Sequence, residues 1–133
     1  MTVGERQLRI AGVLENVWVA CDFVVTQARE IGLDDRSIHH CYLAVDEACT
    51  NIIEHGYAAE CADCIIDVFC QRDEQGLTII ISDDSPAFDP LTRPDPDPLM
   101  PLNERGTGGW GIFFIKKMMD SVSYSREGGR NRL

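Results

Sequence analysis

From Ala44 to Tyr57 the chain reads AVDEACTNIIEHGY. Its apolar residues continue a pattern that starts upstream. Ile38, Cys41, Val45, Ala48 and Ile52 recur every three or four positions, the period of a helix with one buried face. Asp34 or Asp35 stands ahead of the run as N-cap, and Gly56 closes it. Glu47, Asn51 and His55 are spaced four apart, so they stack in one stripe bordering the apolar face. A carboxylate at the edge of a core is positioned and partly dehydrated, as a general base must be. A carboxamide one turn on suits a hard cation such as Mg2+, which binds one or two protein oxygens together with phosphates. The plain alternative is a solvated helix face with ordinary i,i+4 contacts.

Outward from this helix the period changes. Towards the N-terminus, Leu14 to Ile31 carries Val17, Ala20, Cys21, Val24 and Ala28 at helical spacing, with Gly32 as its stop. Before that, Gln7 to Ala11 alternates polar and apolar, which predicts a first strand. Towards the C-terminus, Cys64 to Gln71 (CIIDVFCQ) and Leu77 to Ser82 (LTIIIS) are rich in β-branched residues. The turn residues between them predict a β-hairpin. All six prolines fall between Pro86 and Pro101, so that stretch is read as a long loop. Ile112 to Met119 reads as a helix with Lys116 and Lys117 near its end, and Ser121 to Ser125 as a strand. A turn through Gly128 and Gly129 opens one more strand. The expected fold class is α+β: a two-layer sandwich, with helices on one face of a mostly antiparallel mixed sheet. One domain over residues 1–133 is expected, with no internal repeat.

Two further segments invite a chemical reading. Asp83 ends the second hairpin strand and opens the proline-rich loop. A carboxylate only accepts hydrogen bonds, so one facing a cleft favours the exocyclic amine of adenine over the carbonyl oxygen of guanine. The alternative is a turn aspartate. Gly106-Thr107-Gly108-Gly109-Trp110-Gly111 precedes the last helix. Glycines admit phosphate oxygens close to the backbone, and a helix start offers free N–H groups. The string fits G-x-G-x-x-G, but it follows prolines instead of a strand. Ile112 and Phe113 stand where a Walker A loop requires Lys and Ser/Thr. A lid over a nucleotide and a merely flexible connection stay open.

Composition limits the partners. Lys plus Arg number 12 against 22 Asp plus Glu, for a net charge of -10. Such a surface repels phosphate backbones and anionic lipid, so neither nucleic acid nor membrane is an expected partner. Hydrophobic residues make up 44%, enough for a sizeable core. No apolar run approaches the roughly 18 to 20 residues of a bilayer span. No basic-then-apolar leader opens the sequence, and a cytoplasmic location with reduced thiols is expected. Of the six cysteines, Cys21, Cys41 and Cys49 sit among apolar residues as small hydrophobes. Cys61-Ala62-Asp63-Cys64 is a lone C-x-x-C, with no second pair to complete a zinc site. It leads into a strand, whereas redox pairs of this spacing begin a helix. His39 and His40 are read as surface residues, and Trp110 as a cover for a nucleotide or a partner.

Taken together, the three segments resemble the GHKL ATPase superfamily, and within it the bacterial anti-sigma factor serine/threonine kinases. Ala44 to Asn51 resembles that family's N box, Asp83 to Pro90 its G1 box and Gly106 to Gly111 its G2 box. The resemblance runs from Leu8 to Leu133. It implies the Bergerat ATP-binding fold, with ATP and Mg2+ as cofactors. Glu47 would be the base on the acceptor hydroxyl, Asn51 the Mg2+ ligand and Asp83 the reader of adenine. Ser85 would border the nucleotide, and His55 on the stripe would either contact phosphate or merely pack near Tyr57. Arg105, Gly106, Thr107, Gly108, Gly109, Trp110 and Gly111 would close over the phosphates. The implied acceptor is a Ser or Thr of an anti-sigma factor antagonist, and the implied second partner is a sigma factor, bound by a homodimer. A non-catalytic, ATP-responsive partner-binding module is the alternative. Three departures stand out. Ser85 replaces the usual G1 glycine, so an altered turn or adenine approach is expected. The glycine loop is longer than usual, and the sequence stops at Leu133, where the family's last strand would continue.

Overall fold

Leu8 and Ile10 alternate with Gln7 and Arg9, and the strand they form pairs along its whole length with the hairpin that follows the helices. A computed structural model describes residues 4–74, 76–87, 89, 91 and 110–133, with the backbone alone for Trp110. Strand β1 (Gly4–Gly12) leads through a 3-10 turn, Leu14–Asn16, into helix α1 (Val17–Glu30). Helix α2 (Asp35–Asn51) follows and ends in a π-helical turn, Ile52–Gly56. Strands β2 (Cys61–Asp73) and β3 (Gly76–Asp83) form the hairpin. Helix α3 (Trp110–Met118) and the short strands β4 (Ser125–Glu127) and β5 (Arg130–Arg132) complete the chain.

The sheet order is β1-β2-β3-β5-β4, and every described ladder is antiparallel. Side chains alternate along a strand, so one face is apolar. Ile10, Ile66, Val68, Cys70 and Ile81 turn towards the helices. There they meet Val17, Ala20, Cys21 and Val24 of α1, the small residues of α2, and Ile112 and Ile115 of α3. This is the two-layer α+β sandwich the sequence predicts.

Some local readings change. No strand forms over residues 121–124; β4 begins at Ser125. Val122 instead packs against the core, so the apolar signal there is burial rather than pairing. Helix α3 begins at Trp110, so Trp110 and Gly111 belong to its first turn. The expected reduced state holds for four cysteines only. Cys21, Cys41, Cys49 and Cys70 are free and buried, while Cys61 and Cys64 form a disulfide. Their register explains it. Ala11 pairs with Ile65 but Gly12 pairs with Cys61, so residues 62–64 bulge out of β2 and bring the two cysteines together.

Asp34 caps α2, its Oδ1 accepting from the Ser37 N–H at 2.7 Å. On the outer face of the sheet, Asp67 is fully buried beneath two guanidinium groups. Arg9 holds both carboxylate oxygens at 2.7 and 3.1 Å, and Arg130 adds a bond at 2.6 Å. Burial alone would raise the Asp67 pKa, but the two arginines outweigh it and hold it below the usual value. A depressed carboxylate stabilises above its unfolded pKa of about 3.9 and loses that contribution as pH falls through the folded value. Asp67→Asn is therefore expected to cost on the order of 2 kcal/mol near neutral pH. Thermal melts of the two proteins should begin to converge as pH drops below about 4 and meet only below the depressed folded value.

Candidate nucleotide site

Glu47 and Asn51 lie on the last two turns of α2, half-buried as their bordering position predicts. The first turn of α3 packs directly on them. A methyl group on Gly111 would come within 2.5 Å of Glu47 Oε2 and 3.4 Å of Asn51 Nδ2. With any larger residue there, the Glu47 carboxylate would have to move aside. The fold thus brings the predicted base, the predicted metal ligand and the end of the glycine loop into one place. Burial is the main cause that raises the Glu47 pKa, with the neighbouring charges of Asp46 and Glu54 adding to it. A carboxyl poised upward is better matched to proton abstraction near neutral pH than an ordinary glutamate.

Asp83 forms the second half of the site. It continues the inward row Leu77, Ile79, Ile81 on β3, so its carboxylate meets the end of the helical layer. It is buried, and three donors converge on Oδ1. These are the Ser85 N–H at 2.9 Å, the Ser85 hydroxyl, and Asn131 Nδ2 at 3.1 Å. All three of these bonds fall on Oδ1. Asn131 sits opposite Asp83 in the ladder and therefore on the same face. Its amide nitrogen also reaches the carbonyl oxygens of Ser85 and Pro86, both at 3.1 Å. Its carbonyl oxygen accepts from Tyr124 and Arg126.

The two halves join at Gly56 and Ser85. A methyl group on Gly56 would lie 2.8 Å from Ser85 Oγ, so the helix end and the turn after Asp83 are in contact. Ser85 carries no backbone strain. Ala58 is the one non-glycine residue with positive φ among the described residues, so Ser85 adopts an ordinary backbone. Its side chain turns back to Asp83.

His55 is exposed on the π-helical turn. The change from α to π winding breaks the four-residue stripe after Asn51, so spacing alone overstates its alignment with Glu47. Arg105, Gly106, Thr107, Gly108 and Gly109 lie outside the described residues. Asn131, Tyr57 and Arg126 were not singled out by sequence reasoning. An asparagine between two arginines in a strand, where asparagine is disfavoured, was the available signal.

No group of three or more His, Cys, Asp or Glu able to hold a metal occurs among the described residues. The chemistry expected of Mg2+ does not require one, since one carboxamide oxygen plus phosphates suffices. Asn51, half-buried beside the end of the glycine loop, fits that role.

Packed helices on one face of an antiparallel sheet are the architecture of the histidine kinase-like ATPase domains. A family profile described as "Histidine kinase-like ATPase domain" matches residues 10–133, and the chain belongs to that family. Among curated proteins it is similar to the serine-protein kinase RsbW of Staphylococcus aureus. The proteins from strains MSSA476 and MW2 are 33% identical over 91 residues, and that from strain MRSA252 is 32% identical. The match covers 65% of this chain and 57% of the relatives' own length. Among the described residues no helix is long and apolar enough to cross a membrane.

Two outcomes follow from the packing around Glu47. In Gly111→Ala the added methyl collides with the carboxylate. ATP affinity measured by calorimetry should fall by about tenfold while the fold is kept. The raised Glu47 pKa means that the folded state binds a proton more tightly than the unfolded chain, so this group's contribution to stability declines as pH rises. Glu47→Gln should therefore raise the melting temperature at pH 8 relative to the native protein, with the gain shrinking towards pH 4.

Proposed function

We propose that this protein is a Mg2+- and ATP-dependent serine/threonine protein kinase that acts as an anti-sigma factor. The observation that supports it most is the contact of Gly111 with Glu47 and Asn51. It joins the end of a glycine loop to a carboxylate with raised pKa and a carboxamide. In this reading Asp83 Oδ2 accepts the adenine amine, Asn51 ligates Mg2+, and residues 105–110 lie over the phosphates. Mg2+, when bound, neutralises phosphate charge. Glu47 orients the acceptor hydroxyl and takes its proton. Phosphoryl transfer depends on positioning and charge neutralisation, so this short set of groups is sufficient.

The acceptor is a Ser or Thr of an anti-sigma factor antagonist, and the partner held inactive is a sigma factor. The name of the similar proteins, serine-protein kinase, supports the hydroxyl as acceptor. The net charge of -10 supports complementarity to basic protein surfaces over nucleic acid. The same reading makes the protein a cytoplasmic homodimer. The alternative, a non-catalytic ATP-responsive binding module, has no use for a base at position 47.

Calorimetry with ATP and GTP, with and without Mg2+, tests the site. Mg2+-dependent binding of ATP and not GTP is expected. Asp83→Asn should weaken ATP binding by about tenfold or more, because its amide presents a donor to the adenine amine; equal affinity removes Asp83 from the site. Glu47→Ala should keep ATP binding and lose transfer by about 10²- to 10⁴-fold. Unchanged transfer would refute the base assignment, and absence of transfer in the native protein would favour the binding module.

A further inference from the structure

The Cys61–Cys64 disulfide lies one hydrogen-bonded residue away from the aspartate turn. The Tyr57 hydroxyl donates to the carbonyl oxygen of Ile65 at 2.6 Å, and Ile65 directly follows Cys64. The same hydroxyl accepts the Asp84 N–H at 3.0 Å, and Asp84 directly follows Asp83. The tyrosine ring is fixed from the other side. A methyl group on Gly12 would lie 3.3 Å from the Cys61 carbonyl oxygen, 3.4 Å from Tyr57 Cδ2 and 3.5 Å from Cys64 Cβ. Gly12, Tyr57 and the two cysteines therefore share one packed spot at the bulge of β2.

The disulfide is also the chemically selective thiol site among the described residues. Cys21, Cys41, Cys49 and Cys70 are buried, and burial pushes their thiols up, those of Cys21 and Cys70 to about 12. Inert buried thiols form little thiolate near neutral pH. Cys61 and Cys64 are half-buried, beside the exposed Ala62 and Asp63.

We propose that Cys61–Cys64 is a modification site for dithiol reductants, whose oxidation state sets the order of the Asp83–Ser85 turn through Tyr57. The nucleotide consequence rests on the reading of Asp83 given above. One thiolate of a dithiol attacks a protein sulfur, and the S–S bond breaks as a mixed disulfide forms. The second thiol of the reagent then closes its own disulfide and releases the remaining protein sulfur. Two electrons and two protons end on Cys61 and Cys64, and the reagent leaves oxidised. Reduction frees the bulge of residues 62–64, the Ile65 carbonyl loses its fixed position, and the Tyr57 bridge loosens. Oxidation restores it.

The full chain is compared in its oxidised form and after dithiothreitol, with alkylation and mass spectrometry to confirm that two thiols appear. Hydrogen exchange at the Asp84 amide is the primary readout. About threefold to tenfold faster exchange is expected in the reduced form, the equivalent of one hydrogen bond. MgATP affinity should fall by a similar factor. A Cys61→Ser, Cys64→Ser double variant should behave as the reduced form with or without dithiothreitol. Tyr57→Phe keeps the disulfide but should lose the dependence of the Asp84 amide on it. Equal Asp84 exchange in verified oxidised and reduced protein overturns the proposal. If MgATP binds neither form, the nucleotide reading of Asp83 fails, while the amide measurement still decides the redox link.

Discussion

The close approach of α2 to its neighbours is the constraint on which the rest depends. Its buried residues are Cys41, Ala44, Val45, Ala48 and Cys49, and those it meets on α1 include Ala20, Cys21 and Val24. Short side chains let the helices lie close together and close to the sheet, and a tightly packed interior has little room to adjust. An enlarged residue on this face would push α2 outward. That would separate Glu47 and Asn51 from Gly111, whose place depends on contact at van der Waals range. The chemistry of the site is thus set by the smallest side chains in the core.

Much of this was legible in the sequence because it rests on local rules. The 3.6-residue period of α2, its aspartate cap and the β-branched hairpin each follow from residues within a few positions of one another. The position of Asp83 was legible for the same reason, since it prolongs the alternation of Leu77, Ile79 and Ile81. Other features depend on partners distant in the chain. Asn131 meets Asp83 across 48 positions, and Asp67 meets Arg9 across 58. No periodicity announces such pairs. The disulfide was missed because its cause is a register shift between β1 and β2, which sequence spacing does not contain.

Ser85 shows how a departure from a family pattern is absorbed. A glycine in such a turn is useful for positive φ or for lack of bulk. Positive φ is not used here, so a side chain costs no backbone strain. Bulk is accommodated from the other side, because Gly56 leaves the space that Ser85 Oγ occupies. The hydroxyl then becomes a donor to Asp83 Oδ1, beside the Ser85 amide and Asn131. In this chain the serine at the strand end is matched by a glycine at the helix end, Gly56. The serine is thereby tied into the turn, its amide and its hydroxyl both bound to the same oxygen of Asp83.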